Sequence, residues 1–150
     1  MYRVQLLVNR FPSLSETFVA DQLRYLLERG VRVDVRATAP QAGAARFEHP
    51  RLRVTYWPST RAERAKALAR LGPVGYARAA AWRRRRVAFS SAPELAARAG
   101  ALDPSMRYDL ILAHFGTQGL DAELYRRMGR LSGPLAVVFH GFDLSRFVRD

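Results

Sequence analysis

The sequence contains no cysteine, a single lysine and no apolar run of the ~20 residues that a membrane-spanning helix needs. Without cysteine, the chain forms no disulfide, no thiolate metal site and no cysteine nucleophile. The three histidines, His49, His114 and His140, lie too far apart to form a local metal motif, so we expect neither a metal nor a cofactor. The N-terminus lacks a charged stretch followed by an apolar signal region, and we therefore expect a cytoplasmic protein.

Several catalytic motifs are also missing. The sequence has no G-x-S-x-G elbow, which presents the serine nucleophile of many hydrolases that are built on an α/β sheet. Neither G-x-G-x-x-G nor G-x-x-x-x-G-K-[ST] occurs, which argues against dinucleotide binding and P-loop nucleotide binding.

Positive charge is abundant and unevenly placed. The formal net charge is +12, and the stretch from Arg61 to Arg86 supplies +8 of it, since only Glu63 opposes nine basic residues there. Such charge favours an anionic partner such as nucleic acid or a phospholipid surface. No nucleic-acid reading element or aromatic platform accompanies it, so we do not expect nucleic acid as a partner. A non-catalytic basic α/β module that binds nucleic acid or an anionic surface remains the alternative function.

Apolar periodicity predicts alternating strands and helices within one domain, residues 1–150. Strands are predicted at 3–9, 31–36, 52–57, 108–113 and 135–139. Helices are predicted from Ser13 or Ser15 to Gly30, and at 61–71, 74–86, 93–99 and 119–130. This order predicts an α/β fold with a Rossmann-like, open, mostly parallel twisted sheet, helices on both faces and a helical insertion.

Three turns follow predicted strands and carry polar side chains. They are residues 10–18 after the first strand, 114–119 after the fourth and 140–143 after the fifth. In open α/β sheets the ligand crevice lies outside the carboxyl ends of the strands. We therefore expect the serine and glutamate of the first turn and the two histidine turns to open onto one groove.

The same segments resemble a known family. The phrases FPSLSETFVADQL, LAHFGTQG and GPLAVVFHGFD, in this order and spacing, are similar to the N-terminal half of family 4 glycosyltransferases of the exopolysaccharide and colanic-acid type. The likeness covers most of the chain and is weakest between residues 38 and 105. It implies a GT-B fold, in which two Rossmann-like domains face each other across a cleft. It also implies sugar transfer from a nucleotide-sugar donor to a polysaccharide or lipid-linked acceptor, with retention of anomeric configuration.

His140 is the candidate catalytic residue. The resemblance implies that it hydrogen-bonds the donor sugar near the reacting centre, and Gly141 would allow the backbone to come close. The alternative is a histidine that caps the following turn. Asp143 would orient His140, or it would cap the segment that begins near Leu144.

The first loop is the candidate acceptor side. The resemblance places Ser15, Glu16 and Thr17 along the cleft, where a helix N-terminus attracts phosphate or carboxylate groups. Plain N-capping explains the serine and the acid equally well. Arg10 would meet an anionic group or lie in solvent.

His114 directly follows the fourth predicted strand, and Gly116 and Gly119 permit a tight turn into the next helix. We expect His114 to hydrogen-bond a neighbouring loop and to support the cleft without reacting itself. Both His114 and Gly116 are included among the substrate-binding candidates.

The resemblance also offers a role for the basic stretch. Such enzymes usually act on lipid-linked or membrane-proximal acceptors, and an arginine-rich amphipathic segment suits peripheral docking on an anionic leaflet. The candidate membrane-facing residues are Arg83, Arg84, Arg85 and Arg86. The alternative is a solvated helix face in a protein that is rich in arginine.

The sequence stops at Asp150, shortly after the His140 turn. The resemblance implies that the nucleotide-sugar donor and a paired-glutamate motif belong to a C-terminal donor domain, which these residues do not include. We expect a fragment; the alternatives are that a separate chain completes the site or that the domain has lost transferase activity. Alone, the chain is not expected to transfer sugar, because the cleft has one wall.

Overall fold

The computed structural model describes residues 1–13, 17–42, 47–85 and 90–140. Within these residues, five strands and four helices follow one another along the chain. They are β1 (Arg3–Leu7), α1 (Thr17–Glu28), β2 (Arg32–Ala37), β3 (Leu52–Tyr56), α2 (Arg61–Arg85), α3 (Ala92–Gly100), β4 (Leu110–His114), α4 (Gly116–Arg127) and β5 (Leu135–Val138).

The five strands form one sheet in the order β3-β2-β1-β4-β5, and every neighbouring pair is parallel. This arrangement confirms the predicted Rossmann-like α/β fold. The strand order reverses between β1 and β4, because the chain passes from β1 outwards to β3 and then returns to start β4 beside β1.

Helices cover both faces of the sheet, as predicted. Val4 and Leu6 of β1 belong to an apolar cluster with Leu23 and Leu27 of α1. The opposite face carries Leu7, whose cluster includes buried side chains from α2, α3 and α4. Burial on both faces explains why β1, β4 and β5 show almost continuous apolar runs.

The predicted break at Gly72 is present: α2 consists of two helical segments that meet at a kink there. Gly72 has φ 75 and ψ 172, and Pro73 follows it inside α2. Glycine adopts a positive φ without steric cost, and proline cannot donate the helical hydrogen bond, so this pair redirects the helix. Among the described residues, no helix is long and apolar enough to cross a membrane.

The fourth helix begins three residues earlier than the predicted start at Gly119. Phe115, at its N-cap, has φ 73 and forms no side-chain capping bond. Helix starts are usually marked by serine, threonine, aspartate or asparagine at this position. With phenylalanine there, local sequence carried no start signal, and the tertiary environment sets the boundary.

Gly100 lies where α3 packs closely on α2. A Cβ at this position would stand 2.0 Å from the carbonyl oxygen of Ala67 in α2. Because a backbone atom cannot yield as a flexible side chain can, we expect Gly100→Ala to lower the free energy of unfolding by about 1 to 3 kcal/mol. Helix propensity alone would instead raise stability by up to ~1 kcal/mol. Chemical denaturation shows whether the free energy of unfolding falls or rises in Gly100→Ala. An unchanged or raised value would contradict the close packing of α3 on α2.

Candidate functional site

The carboxyl ends of β1, β4 and β5 meet at one edge of the sheet. β1 and β4 are neighbours, and the strand order reverses between them. The chain leaving β1 enters α1 on one face, while the chain leaving β4 enters α4 on the other. Two loops that diverge in this way leave a crevice, and ligands of open α/β sheets bind there.

Two histidines meet at this edge. His114 is the last residue of β4 and is only 2% exposed, and His140 follows the end of β5 by two residues. Nδ1 of His114 lies 3.1 Å from Nε2 of His140. The two rings are nearly parallel, with an interplanar angle of 12° and a centroid distance of 5.4 Å. The rings therefore share a hydrogen bond as well as stacking contact.

Helix α1 completes the arrangement from the other loop. Oε1 of Gln22 lies 2.8 Å from Nε2 of His114. The Phe18 ring, one turn earlier on the same helix face, stands 4.2 Å from the His140 ring by centroids, and Phe115 stands 4.7 Å away. His140 is thus held between two aromatic rings and a buried histidine, with part of its surface open to solvent.

The hydrogen bonds specify where the protons lie. With Oε1 of Gln22 as acceptor, His114 carries its proton on Nε2, and its Nδ1 must accept from Nε2–H of His140. Burial, assisted by the nearby charge of protonated His140, lowers the pKa of His114 to about 4. His114 is therefore a neutral acceptor near pH 7. In neutral His140, Nδ1 is then the acceptor nitrogen.

A fixed imidazole at a crevice has definite chemical uses. It accepts a hydrogen bond from a hydroxyl when neutral, and when protonated it donates one to an oxygen or to a phosphate. Within residues 1–13, 17–42, 47–85 and 90–140, no three histidine, aspartate or glutamate side chains are grouped so that they could hold a metal ion. The geometry suits hydrogen bonding to a polar substrate.

Comparison with known proteins bears on what that substrate is. No protein-family model matches the chain. Two curated proteins do match it, and both carry the name colanic acid biosynthesis glycosyltransferase WcaL. The Escherichia coli K12 protein is 28% identical over 155 aligned positions, and the Salmonella typhimurium LT2 protein is 29% identical over 159. The chain is similar to the N-terminal part of WcaL.

Each WcaL alignment covers 95% of this chain and 38% of the relative. The chain thus spans little more than a third of the length of these glycosyltransferases. The similarity confirms the resemblance found in the sequence and supports a glycosyltransferase type of function.

The structure places some of the predicted site residues and leaves others undescribed. Ser15, Glu16, Gly141, Asp143 and Arg86 lie outside the described residues, as does the side chain of Arg85. Thr17 is the exposed first residue of α1, and Gly116 is the first residue of α4. Arg10 is exposed and pairs through its backbone with Ala39. Arg83 and Arg84 are exposed on α2.

Sequence reasoning anticipated hydrogen bonding of His114 but missed its partners. It expected a loop partner, whereas His114 contacts Gln22 of helix α1 and His140 beyond β5. One signal was present, because Phe18 and Gln22 are four positions apart and so lie on one helix face. Their meeting with the histidines depends on the tertiary fold, since Gln22 and His114 are 92 positions apart.

Proposed function

We propose that this chain is the acceptor-side, N-terminal domain of a retaining GT-B glycosyltransferase. In this proposal, the complete enzyme moves a sugar from a nucleotide-sugar donor to a polysaccharide or lipid-linked acceptor. A second domain, in the same or in a separate polypeptide, binds the donor. The observation that carries the proposal is the His114 and His140 pair at the sheet's switch-point edge, in a chain that is similar to WcaL.

His140 is assigned the contact with the donor sugar. Its partly exposed ring is held by a neutral neighbour, so a sugar hydroxyl would meet a group of fixed orientation. Preorganised hydrogen-bonding groups stabilise a transition state without reorganising during the reaction. Gly141 and Asp143 lie outside the described residues; in this proposal Gly141 allows close approach of the backbone, and Asp143 orients His140 or caps the following segment.

The acceptor side is assigned to the residues that begin α1 and α4. Thr17 stands at the start of α1, and Gly116 stands at the start of α4. Ser15 and Glu16 precede Thr17 directly in the chain, and Arg10 follows β1. His114 is assigned to positioning, because its ring is buried and contacts His140.

The test uses the complete polypeptide encoded in frame with these 150 residues, together with the second polypeptide where a separate chain supplies the donor domain. It is incubated with a panel of nucleotide-sugars, and the release of nucleoside diphosphate is measured with and without a saccharide or lipid-linked acceptor. We expect acceptor-dependent release with at least one donor and retention of anomeric configuration in the product. Absence of release with every donor, or an inverted product, would contradict the proposal.

The same preparation tests the alternative of a basic binding module. A module that binds nucleic acid through arginine alone would show RNA or DNA affinity that falls steeply with added salt and would show no response to nucleotide-sugars. We expect the reverse, namely a rise in melting temperature with a nucleotide-sugar and only weak nucleic-acid binding at physiological salt.

We also propose that α2 brings the enzyme to an anionic membrane surface. The basic side chains of Arg78, Arg83 and Arg84 are exposed, and so are the apolar side chains of Val74 and Tyr76. Basic residues attract anionic headgroups, while the apolar side chains enter the interface.

Trp82 lies in the basic stretch of α2 but does not belong to this exposed surface. It is half-buried and packs against the core cluster that lies between the sheet and α2, α3 and α4. The guanidinium of Arg127, on α4, lies 5.2 Å from the centre of its ring.

Replacing Arg83 and Arg84 together by alanine is expected to weaken binding to phosphatidylglycerol-containing vesicles by ~30-fold, at about 1 kcal/mol per residue. Vesicle cosedimentation measures the effect. The matched control replaces two exposed arginines elsewhere, Arg24 of α1 and Arg29 directly after it, which changes the net charge equally and should alter binding far less. If both double variants bind the vesicles equally weakly, net charge alone explains the loss of binding. That result would contradict docking through α2.

A further inference from the structure

A polar pocket lies at the point where the strand order reverses, between the chain that leaves β1 and the start of α4. Its volume is about 180 Å³. Asn9 lines it from the chain that leaves β1, and Thr117 and Gln118 line it from the first turn of α4. Thr117 follows His114 by three residues, so the pocket and the histidines share the carboxyl edge of β4. Thr117 and Gln118 belong to the turn at 114–119 that the sequence predicted to face the crevice, but no separate role was predicted for them or for Asn9.

An amide pair bridges the two loops across the crevice. Nε2 of Gln118 donates to Oδ1 of Asn9 over 2.7 Å, and the Gln118 residue is only 6% exposed. This bond uses one polar group of each amide. It leaves Nδ2 of Asn9 as a donor and Oε1 of Gln118 as an acceptor for a ligand.

The far wall of the pocket carries one cation and two carboxyl groups. Arg98 of α3 is buried and forms ion pairs with Glu94 and with Asp121 of α4. Nη1 of Arg98 lies 3.4 Å from Oδ2 of Asp121. Burial raises the pKa of Asp121 to about 6, although Arg98 opposes this shift. Two carboxyl groups therefore accompany one guanidinium.

The excess of carboxyl groups over cations disfavours anionic ligands and favours neutral ones. An anion such as phosphate would enter a site where two carboxyl groups already pair with the single cation, and it would be repelled. A neutral ligand with several hydroxyls would meet amide donors, amide acceptors and carboxylate oxygens at short range. Planar polar groups of this kind can hydrogen-bond adjacent hydroxyls of a sugar ring.

We infer that this pocket binds the hydroxyls of a neutral pyranose, which is the terminal sugar of the acceptor. The inference rests on the proposed function and narrows it, because it assigns the acceptor contact to uncharged sugar hydroxyls and to residues on both sides of the crevice. The charged residues hold the wall in place, while Asn9 and Gln118 supply the ligand contacts.

The test titrates the isotope-labelled chain with methyl β-D-galactopyranoside, methyl β-D-glucopyranoside or inorganic phosphate and follows its nuclear magnetic resonance spectrum. We expect at least one pyranoside to shift the side-chain amide signals of Asn9 and Gln118, with an affinity on the order of millimolar, as small neutral ligands show. Phosphate should not shift them. Shifts with phosphate alone, or no shifts with either pyranoside, would overturn the inference.

Two variants remove the assigned contacts with little change of shape. Asn9→Ala removes an exposed side chain, and Gln118→Met keeps the length of a buried one. Each should weaken pyranoside binding by about fivefold, as the loss of one hydrogen bond predicts. Glu28→Ala, at an exposed position on α1 outside the pocket, is the control and should bind normally. Unchanged binding in both pocket variants would place the sugar elsewhere.

Sugar transfer by the complete polypeptide separates this inference from the proposed function. Asn9→Ala should raise the KM for the acceptor about fivefold and leave the KM for the donor unchanged. Normal acceptor KM in an active enzyme would overturn the pocket assignment alone. Pyranoside binding at Asn9 in a protein without transferase activity would instead overturn the proposed function alone.

Discussion

His140→Ala is expected to lower the turnover number of the complete polypeptide about 100-fold, because it removes a fixed hydrogen-bonding group beside the reacting sugar. The free energy of unfolding should fall by less than about 1 kcal/mol, since His140 is partly exposed. Steady-state kinetics and chemical denaturation of the same preparation measure both effects.

His49→Ala is the matched control for this substitution. Nδ1 of His49 accepts a hydrogen bond from the backbone N–H of Arg51, and the residue precedes β3 at the edge of the sheet. The His49→Ala variant should retain the full turnover number of the wild type. Normal turnover in His140→Ala would remove His140 from the mechanism, and a large loss of stability would assign it a structural role.

His114 is expected to make the chain sensitive to acid. Its pKa is lowered from 6.5 to about 4 by burial, so between these values the unfolded state binds more protons than the folded state. The stabilising contribution is fully present above pH 6.5 and is lost as the pH falls towards 4. The loss amounts to roughly 2 to 3 kcal/mol of unfolding free energy at pH 4.

Asp121 changes the stability with pH in the opposite direction to His114, so the contributions of the two residues must be measured separately. Its pKa is raised from 3.8 to about 6, and its contribution to stability therefore falls as the pH rises through that range. His114→Phe removes only the histidine titration. From pH 7 to pH 4, the unfolding free energy of the wild type should fall by roughly 2 to 3 kcal/mol more than that of this variant.

Leu23→Ala supplies the control for the pH series. Leu23 is fully buried in α1, so its truncation costs about 2 to 5 kcal/mol without removing a titrating group. The difference in unfolding free energy between Leu23→Ala and the wild type should stay constant with pH. A constant difference for His114→Phe as well would contradict the burial of a neutral His114.

Much of the fold could be predicted from local patterns. Alternation of Val33 and Val35 with polar residues predicted β2, and helical spacing of Val19, Leu23 and Leu27 predicted α1. These patterns are readable because each element buries a face whose period is set by its own backbone geometry. The same reasoning missed that Asp34, one of the alternating polar residues of β2, is buried.

Asp34 shows why alternation failed as a guide to exposure. It is 6% exposed, because helices cover both faces of the sheet, and it pairs with Arg3 of β1 at 2.6 Å. Period-2 alternation indicates a strand but assumes that one face meets water. The buried Arg98, Gln118 and Asp121 of the pocket escaped for a related reason, since polar residues in helices are ordinarily exposed.

By itself, the sequence determined the type and order of the elements, the parallel sheet and the expectation that the loops after β1, β4 and β5 share an edge. Those conclusions follow from short-range periodicity and from the geometry of parallel strands. Only the tertiary structure decided which side chains meet there. His114 contacts residues 92 and 26 positions away, and a hydrogen bond requires atoms within about 3 Å, a distance that no local pattern encodes.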